Sequence, residues 1–153
     1  MYAVIRIRGN TGIRREIART LDVIGVDRAN HLVLVKESDS HAKMIAKAKD
    51  YIAWGEIEAK TLALLLEKRA LLEGNKKVGE EFLKKKGFKG FAELAEAIMN
   101  GKIGLRELGI KKVFRLHPPR KGFERNGIKK SFAEGGALGY RKSAINRLIE
   151  KMA

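Results

Sequence analysis

Cysteine is absent from this 153-residue chain. Its absence excludes disulfides, thiolate metal sites and cysteine nucleophiles. Glutamine is missing too, and the only two prolines are adjacent, at Pro118-Pro119. The longest purely apolar run, Leu62-Ala-Leu-Leu-Leu66, falls far short of a membrane span. No membrane partner is therefore expected. Met1 to Arg8 alternates in polarity and lacks the layout of a secretory leader, so a cytoplasmic protein is expected. Acid is also scarce: 18 Asp and Glu stand against 33 Lys and Arg, for a net charge of +15. Few thermolabile side chains among 33% charged residues give a mild thermophile signature.

What is present is cationic, and unevenly placed. Residues 111–153 hold 12 Lys and Arg against 3 Asp and Glu, a net of +9 on little more than a quarter of the length. Such density repels itself unless a polyanion neutralises it, and each neutralised phosphate releases condensed counterions. The basic residues alternate with Phe114, Phe123, Phe132 and Tyr140, a mixture suited to nucleic acid. The segment is also rich in glycine and is expected to depend on the rest of the chain to fold. A second cluster joins Arg6 and Arg8 to Asn10, Thr11, Arg14 and Arg15, where a helix start flanked by arginines attracts phosphate.

Periodicity divides the chain into three. Within residues 1–57 the pattern reads strand, helix, strand, helix, strand. Ala3, Ile5 and Ile7 share one face of the first strand. Ile13, Ile17, Leu21 and Ile24 follow at near-helical spacing, closed by Gly25. Leu32 to Lys36 is a second strand, Ser38 caps a second helix, and Asp50 to Gly55 is a third strand. The order predicts an α+β, ferredoxin-like core with two helices on one face of a small sheet. Residues 58–110 read as a helical extension: Glu58–Glu73, Val78–Lys86, Phe91–Met99 and a turn at Leu105–Leu108. Residues 111–153 predict a basic hairpin, with strands at Lys112–Leu116 and Ile128–Phe132, and then a helix. That helix carries a stripe of Ile145, Leu148, Ile149 and Met152, read as core packing.

Enzymatic readings find little support. Gly135-Gly-Ala-Leu-Gly139 has the wrong spacing for a dinucleotide fingerprint, and no lysine follows it directly as in a phosphate-binding P-loop. A flexible turn that brings backbone to a phosphate fits better. His31, His41 and His117 are dispersed and lack thiol partners, so no metal is expected. No cofactor, catalytic residue or small-molecule substrate is indicated.

Particular blocks carry a family likeness. Val4-Ile-Arg-Ile-Arg-Gly9, Leu21-Asp-Val-Ile-Gly-Val26 and Asn30-His-Leu-Val-Leu-Val35 resemble the large-subunit ribosomal protein L-thirty family. Phe114-Arg-Leu-His-Pro-Pro-Arg-Lys-Gly122, Phe132-Ala-Glu-Gly-Gly-Ala-Leu-Gly-Tyr-Arg141 and Ile145-Asn-Arg-Leu-Ile149 resemble its archaeal branch and the eukaryotic L-seven relatives. The resemblance implies a three-stranded antiparallel sheet in the order 3-1-2. It also implies a structural, non-enzymatic role in the large ribosomal subunit, bound to large-subunit rRNA near the 5S rRNA and beside other ribosomal proteins. The alternative is a free-standing RNA-binding or RNA-remodelling protein. On either reading the expected RNA contacts are Arg115, His117, Arg120, Lys121, Arg125, Lys129, Lys130, Arg141 and Lys142, joined by Arg8, Asn10, Thr11, Arg14, Arg15, Asn30 and His31. Gly135 and Gly136 are expected to offer a positive φ or a close backbone approach.

Overall fold

A computed structural model describes all 153 residues. Three strands, β1 (Tyr2–Arg6), β2 (His31–Val35) and β3 (Ile52–Glu56), alternate with helices α1 (Arg15–Ile24) and α2 (Asp39–Lys47). Strand β1 lies between β2 and β3 and is antiparallel to both, which is the 3-1-2 order of the expected core. Gly25 ends α1 in the left-handed conformation that glycine adopts without strain. The Ser38 hydroxyl accepts the His41 N–H at the start of α2. Helices α3 (Ala59–Arg69), α4 (Glu80–Lys85) and α5 (Phe91–Met99) follow. Strands β4 (Val113–Arg115) and β5 (Gly139–Tyr140) and helix α6 (Ala144–Met152) complete the chain.

The C-terminal segment departs from the expected hairpin. The sheet has five strands, in the order β4-β2-β1-β3-β5. Strand β4 pairs antiparallel with β2, and β5 pairs parallel with β3 on the opposite edge. Residues 128–132 form no strand; Ser131 is only bridged to Leu138, beside β5. The cause lies on either side of Pro118-Pro119. There the His117 and Arg120 N–H groups donate to the Met152 and Lys151 carbonyls at the end of α6. These bonds pull the chain away from β4, and it returns only at the far edge.

Both faces of the sheet are buried, so alternation along a strand selects between two cores. Val4 packs with Leu21, Val26, Val33, Val35, Ile45, Ala48 and Ile52 beneath α1 and α2. Ala3, Ile5 and Ile7 join a larger core of 25 residues on the other face. That core takes Leu62, Leu65 and Leu66 from α3, Leu94 and Ile98 from α5, Phe114 from β4, and Ile145, Leu148, Ile149 and Met152 from α6. Each such side chain contributes about 1.5–3 kcal/mol when fully buried. Helix α3 is shorter than its periodicity suggests. Beyond Ala70 the chain turns extended, and Leu71 and Leu72 bridge to Lys77 and Ile110.

Two small features seat α6 on the sheet. A side chain at Gly55 would place its Cβ 2.1 Å from the Lys142 carbonyl oxygen and 3.0 Å from Ile145, so only glycine lets the helix start cross β3. The buried Asn146 amide donates to the Glu56 and Ser143 carbonyls at 3.1 and 2.9 Å and accepts from Glu58 N–H at 3.0 Å.

Candidate nucleic-acid interface

The topology brings distant basic residues to one end of the sheet. Strand β1 finishes there, while β2 and β3 start there; β4, antiparallel to β2, also ends there. The loop after β1 carries Arg8, Asn10, Thr11 and Arg14, and leads to Arg15 at the start of α1. The loop before β2 carries Asn30 and leads to His31, and the chain leaving β4 carries Arg115, His117 and Arg120. Asn10, Thr11, Arg14, Arg15, Arg115, His117 and Arg120 are exposed; Arg8, Asn30 and His31 are half-buried.

Arg6 organises this end rather than facing a ligand. It is 1% exposed. Its Nη1 donates to the Val26 and Asp27 carbonyls at 3.0 and 2.6 Å, and its Nε to the Arg8 carbonyl at 2.9 Å. Its Nη2 donates to the Gly9 carbonyl at 3.2 Å and to Asn10 Oδ1. One guanidinium therefore ties the β1–α1 loop to the α1–β2 loop. Burial lowers its pKa, while Asp22, Asp27 and Tyr51 oppose the shift. The sequence grouped Arg6 with the phosphate cluster. A charged residue inside an otherwise apolar strand was the available sign of its interior role.

Further contacts orient the rim. Arg8 lies over the Tyr51 ring at 4.9 Å and donates to the Asp50 carbonyl at 3.2 Å. His31 Nδ1 sits 2.9 Å from Asp27 Oδ1. The Asp27 carboxyl is pushed up by burial but held below its ordinary value overall by the His31 hydrogen bond, with help from the charges of His31 and Arg28. Asn30 adopts φ +64°, Lys121 +67° and Lys142 +49°. These are three of the four non-glycine residues with left-handed backbone, a strain of about 1–3 kcal/mol each that gathers at functional surfaces.

The remaining basic residues lie on the loop that returns to β5. Arg125, Lys129 and Lys130 are exposed along it, as are Lys121 at its start and Lys142 just beyond β5. Arg141 is not exposed. It is 2% accessible, and its guanidinium is bidentate to Glu124 at 2.5 and 2.7 Å. It also donates to the Ala137 carbonyl at 2.8 and 3.2 Å and lies 4.8 Å from the Phe132 ring. Arg141 thus shapes the loop from within. Burial pushes the Glu124 carboxyl up, yet the Arg141 hydrogen bonds hold it below the usual range. Gly135 has φ +78°. Gly136 is buried, and a Cβ there would lie 2.2 Å from the Lys130 carbonyl oxygen. Its close approach is to its own loop.

The opposite end of the sheet has a different character. The amino terminus pairs with Glu37 at 2.5 Å. The Tyr140 hydroxyl donates to Glu56, which pushes the phenol up to about 12, and Tyr140 lies 6.1 Å from the Trp54 ring. Trp54 packs at the rim of the smaller core.

The chain is similar to known ribosomal proteins. The family described as Ribosomal protein L30p/L7e matches residues 2–52. The large ribosomal subunit protein uL30 of Nanoarchaeum equitans is 52% identical over 97% of this chain and 96% of its own. That of Methanococcus vannielii is 49% identical, with 99% and 98% covered. The Methanosphaera stadtmanae protein is also 49% identical, with 99% of each chain covered.

Proposed function

This chain belongs to the ribosomal protein L30p/L7e family, and on that premise we propose that the basic end of its sheet is the surface it turns to RNA. It is a structural constituent of the large ribosomal subunit, not an enzyme, and its partners are rRNA and other ribosomal proteins. It accordingly resides on the cytoplasmic ribosome. One observation carries the assignment of the surface. Two basic clusters about a hundred residues apart in sequence meet at one end of a single sheet.

In this reading Arg14, Arg15, Arg115, His117, Arg120 and Lys121 contact phosphate directly. Arg8, Asn10, Thr11, Asn30 and His31 set the rim, and Arg125, Lys129, Lys130 and Lys142 extend the contact along the β5 edge. Phosphate and sugar contacts position such a protein, and unpaired bases stack on arginine planes. Gly135, Gly136 and Arg141 act indirectly, by holding the loop in shape. We further propose that residues 1–57 form the ferredoxin-like unit, that 58–110 and 111–153 are additions to it, and that the RNA contacted lies near the 5S rRNA.

Sedimentation tests the assignment. A tagged chain should travel with the large subunit through a high-salt gradient, and reversing the charge of Arg14, Arg15 and Arg120 together should release it. Release of the unaltered chain at high salt would instead favour a free-standing RNA-binding protein.

A further inference from the structure

Beside the sheet end lies a cleft of about 440 Å3 that the sequence did not single out. Arg28, Lys111, Lys112 and Arg115 line it, with His31 and Asp27. Strand register explains the meeting. Arg115 on β4 stands directly opposite His31 on β2, so both side chains project from the same face of the sheet. Phe114, between its neighbours, points the other way into the larger core. Lys111 and Lys112 enter β4 from below, and Arg28 comes from the loop before β2.

The charges in this cleft are poorly compensated. Asp27 is its only acid, and that carboxylate is engaged by His31 at 2.9 Å and by Arg28 at 3.8 Å. Lys111 donates to Asn75 Oδ1, a neutral group. Lys112 and Arg115 are exposed and form no ion pair. Val113 is the single apolar lining residue, which is unlike the apolar pockets that hold small organic ligands. Four permanent cations around one partly neutralised acid call for a ligand with closely spaced negative charge.

We propose that this cleft seats consecutive phosphates of one RNA strand, with Arg28, Lys112 and Arg115 as the binding cations and Asp27 as the group that tempers their field. The inference rests on the RNA-facing surface proposed above and adds two binding residues, Arg28 and Lys112, that no sequence motif assigned. A strand is favoured over a free anion because the cleft is open and Arg115, which lines it, is followed along the chain by the exposed His117 and Arg120 on the same sheet end. In Asp27→Asn the side-chain oxygen can still accept from His31 Nδ1–H, so the charge can be removed without removing that acceptor.

The test uses the full chain with polyuridylate, tripolyphosphate and polyglutamate as probes. Amide resonances of His31, Val113 and Arg115 are followed by NMR, and polyuridylate affinity is measured against salt. The Lys112→Ala, Arg115→Ala double variant should lose the amide shifts and bind on the order of tenfold more weakly. Its log–log salt slope should fall by about 0.7–0.9 per lost contact. The Asp27→Asn variant should bind more tightly than the wild type. Shifts with tripolyphosphate or polyglutamate but not with polyuridylate would overturn the proposal in favour of a free anion or an acidic peptide. Tight polyuridylate binding with no shift at these amides and an unchanged slope would also overturn it, while leaving the wider RNA surface intact. Absence of any polyuridylate binding by the wild type would overturn both.

Discussion

Replacing Arg6 with methionine should damage the RNA-facing surface without touching a residue that faces RNA. The side chain is 1% exposed and makes five hydrogen bonds, four of them to main-chain carbonyls in two different loops. Hydrogen bonds to a charged donor are worth about 1.5–3 kcal/mol each. Five of them would sum to well over 7 kcal/mol, but that sum overstates the cost. Only the bond to Val26 is fully buried, and water can satisfy the other acceptors once the loops open. Methionine also recovers some apolar contact in the same space. The expected loss is about 3–4 kcal/mol, in the range found when one member of a buried charged arrangement is removed. Arg6→Lys should recover part of it, because one ammonium cannot span both loops. Urea unfolding of the three proteins gives the stabilities, and hydrogen exchange at Gly9, Asn10, Asp27 and Arg28 locates the damage. RNA affinity should fall more in Arg6→Met than in Arg15→Ala, although Arg15 is the exposed charge. A stability loss below about 1 kcal/mol with unaltered loop exchange would show that Arg6 is not the tie between the loops.

Other expectations follow from the same contacts. The Glu124 carboxyl is depressed by Arg141, so the stability it adds is complete above its ordinary pKa and is lost as pH falls through the lowered value. Acid titration by NMR should therefore open residues 124–141 only as the pH falls below the ordinary glutamate range, and Glu124→Gln should weaken the loop at neutral pH and remove that acid step. Gly55→Ala should destabilise by several kcal/mol, on the order of an overpacked core site, because its Cβ meets the Lys142 carbonyl at 2.1 Å. Gly9→Ala, with nothing within 4 Å, should be nearly silent in the same thermal melt. Gly136→Val should disrupt folding of the loop before it disturbs subunit assembly, since the clash is with Lys130 inside the chain. Equal thermal stability of that variant and the wild type would contradict this.

Much of the fold was legible because it depends on local signals. Gly25, Ser38 and the period of Ile17 and Leu21 mark helix ends and faces directly, and the order of the first five elements follows. The α6 stripe was equally plain, and Ile145, Leu148, Ile149 and Met152 are buried as expected. The path of residues 117–139 was not legible. It is set by main-chain bonds to Lys151 and Met152, over thirty positions later, and no side-chain pattern records them. The same limit applied to the surface. Charge density located the basic segments, but composition cannot separate an exposed arginine from one committed to an internal carboxylate. Arg14 and Arg141 look alike in sequence, yet one is open to solvent and the other is bound to Glu124. The partnership of Arg28 with Lys112 and Arg115 required the β2–β4 register.

Having β4 and β5 on opposite edges of the sheet bears on how this protein is made. The strands synthesised first are sealed by residues synthesised much later, and contacts such as Glu58 to Asn146 join positions 88 apart. Until β4 and β5 emerge, the outer sides of β2 and β3 carry unpaired main-chain groups, which invite association with other nascent chains. Closing so long a loop is also slow, because its entropy is lost before any contact rewards it. A chain cut before β4 should therefore stay trapped with both edges of the three-stranded sheet open.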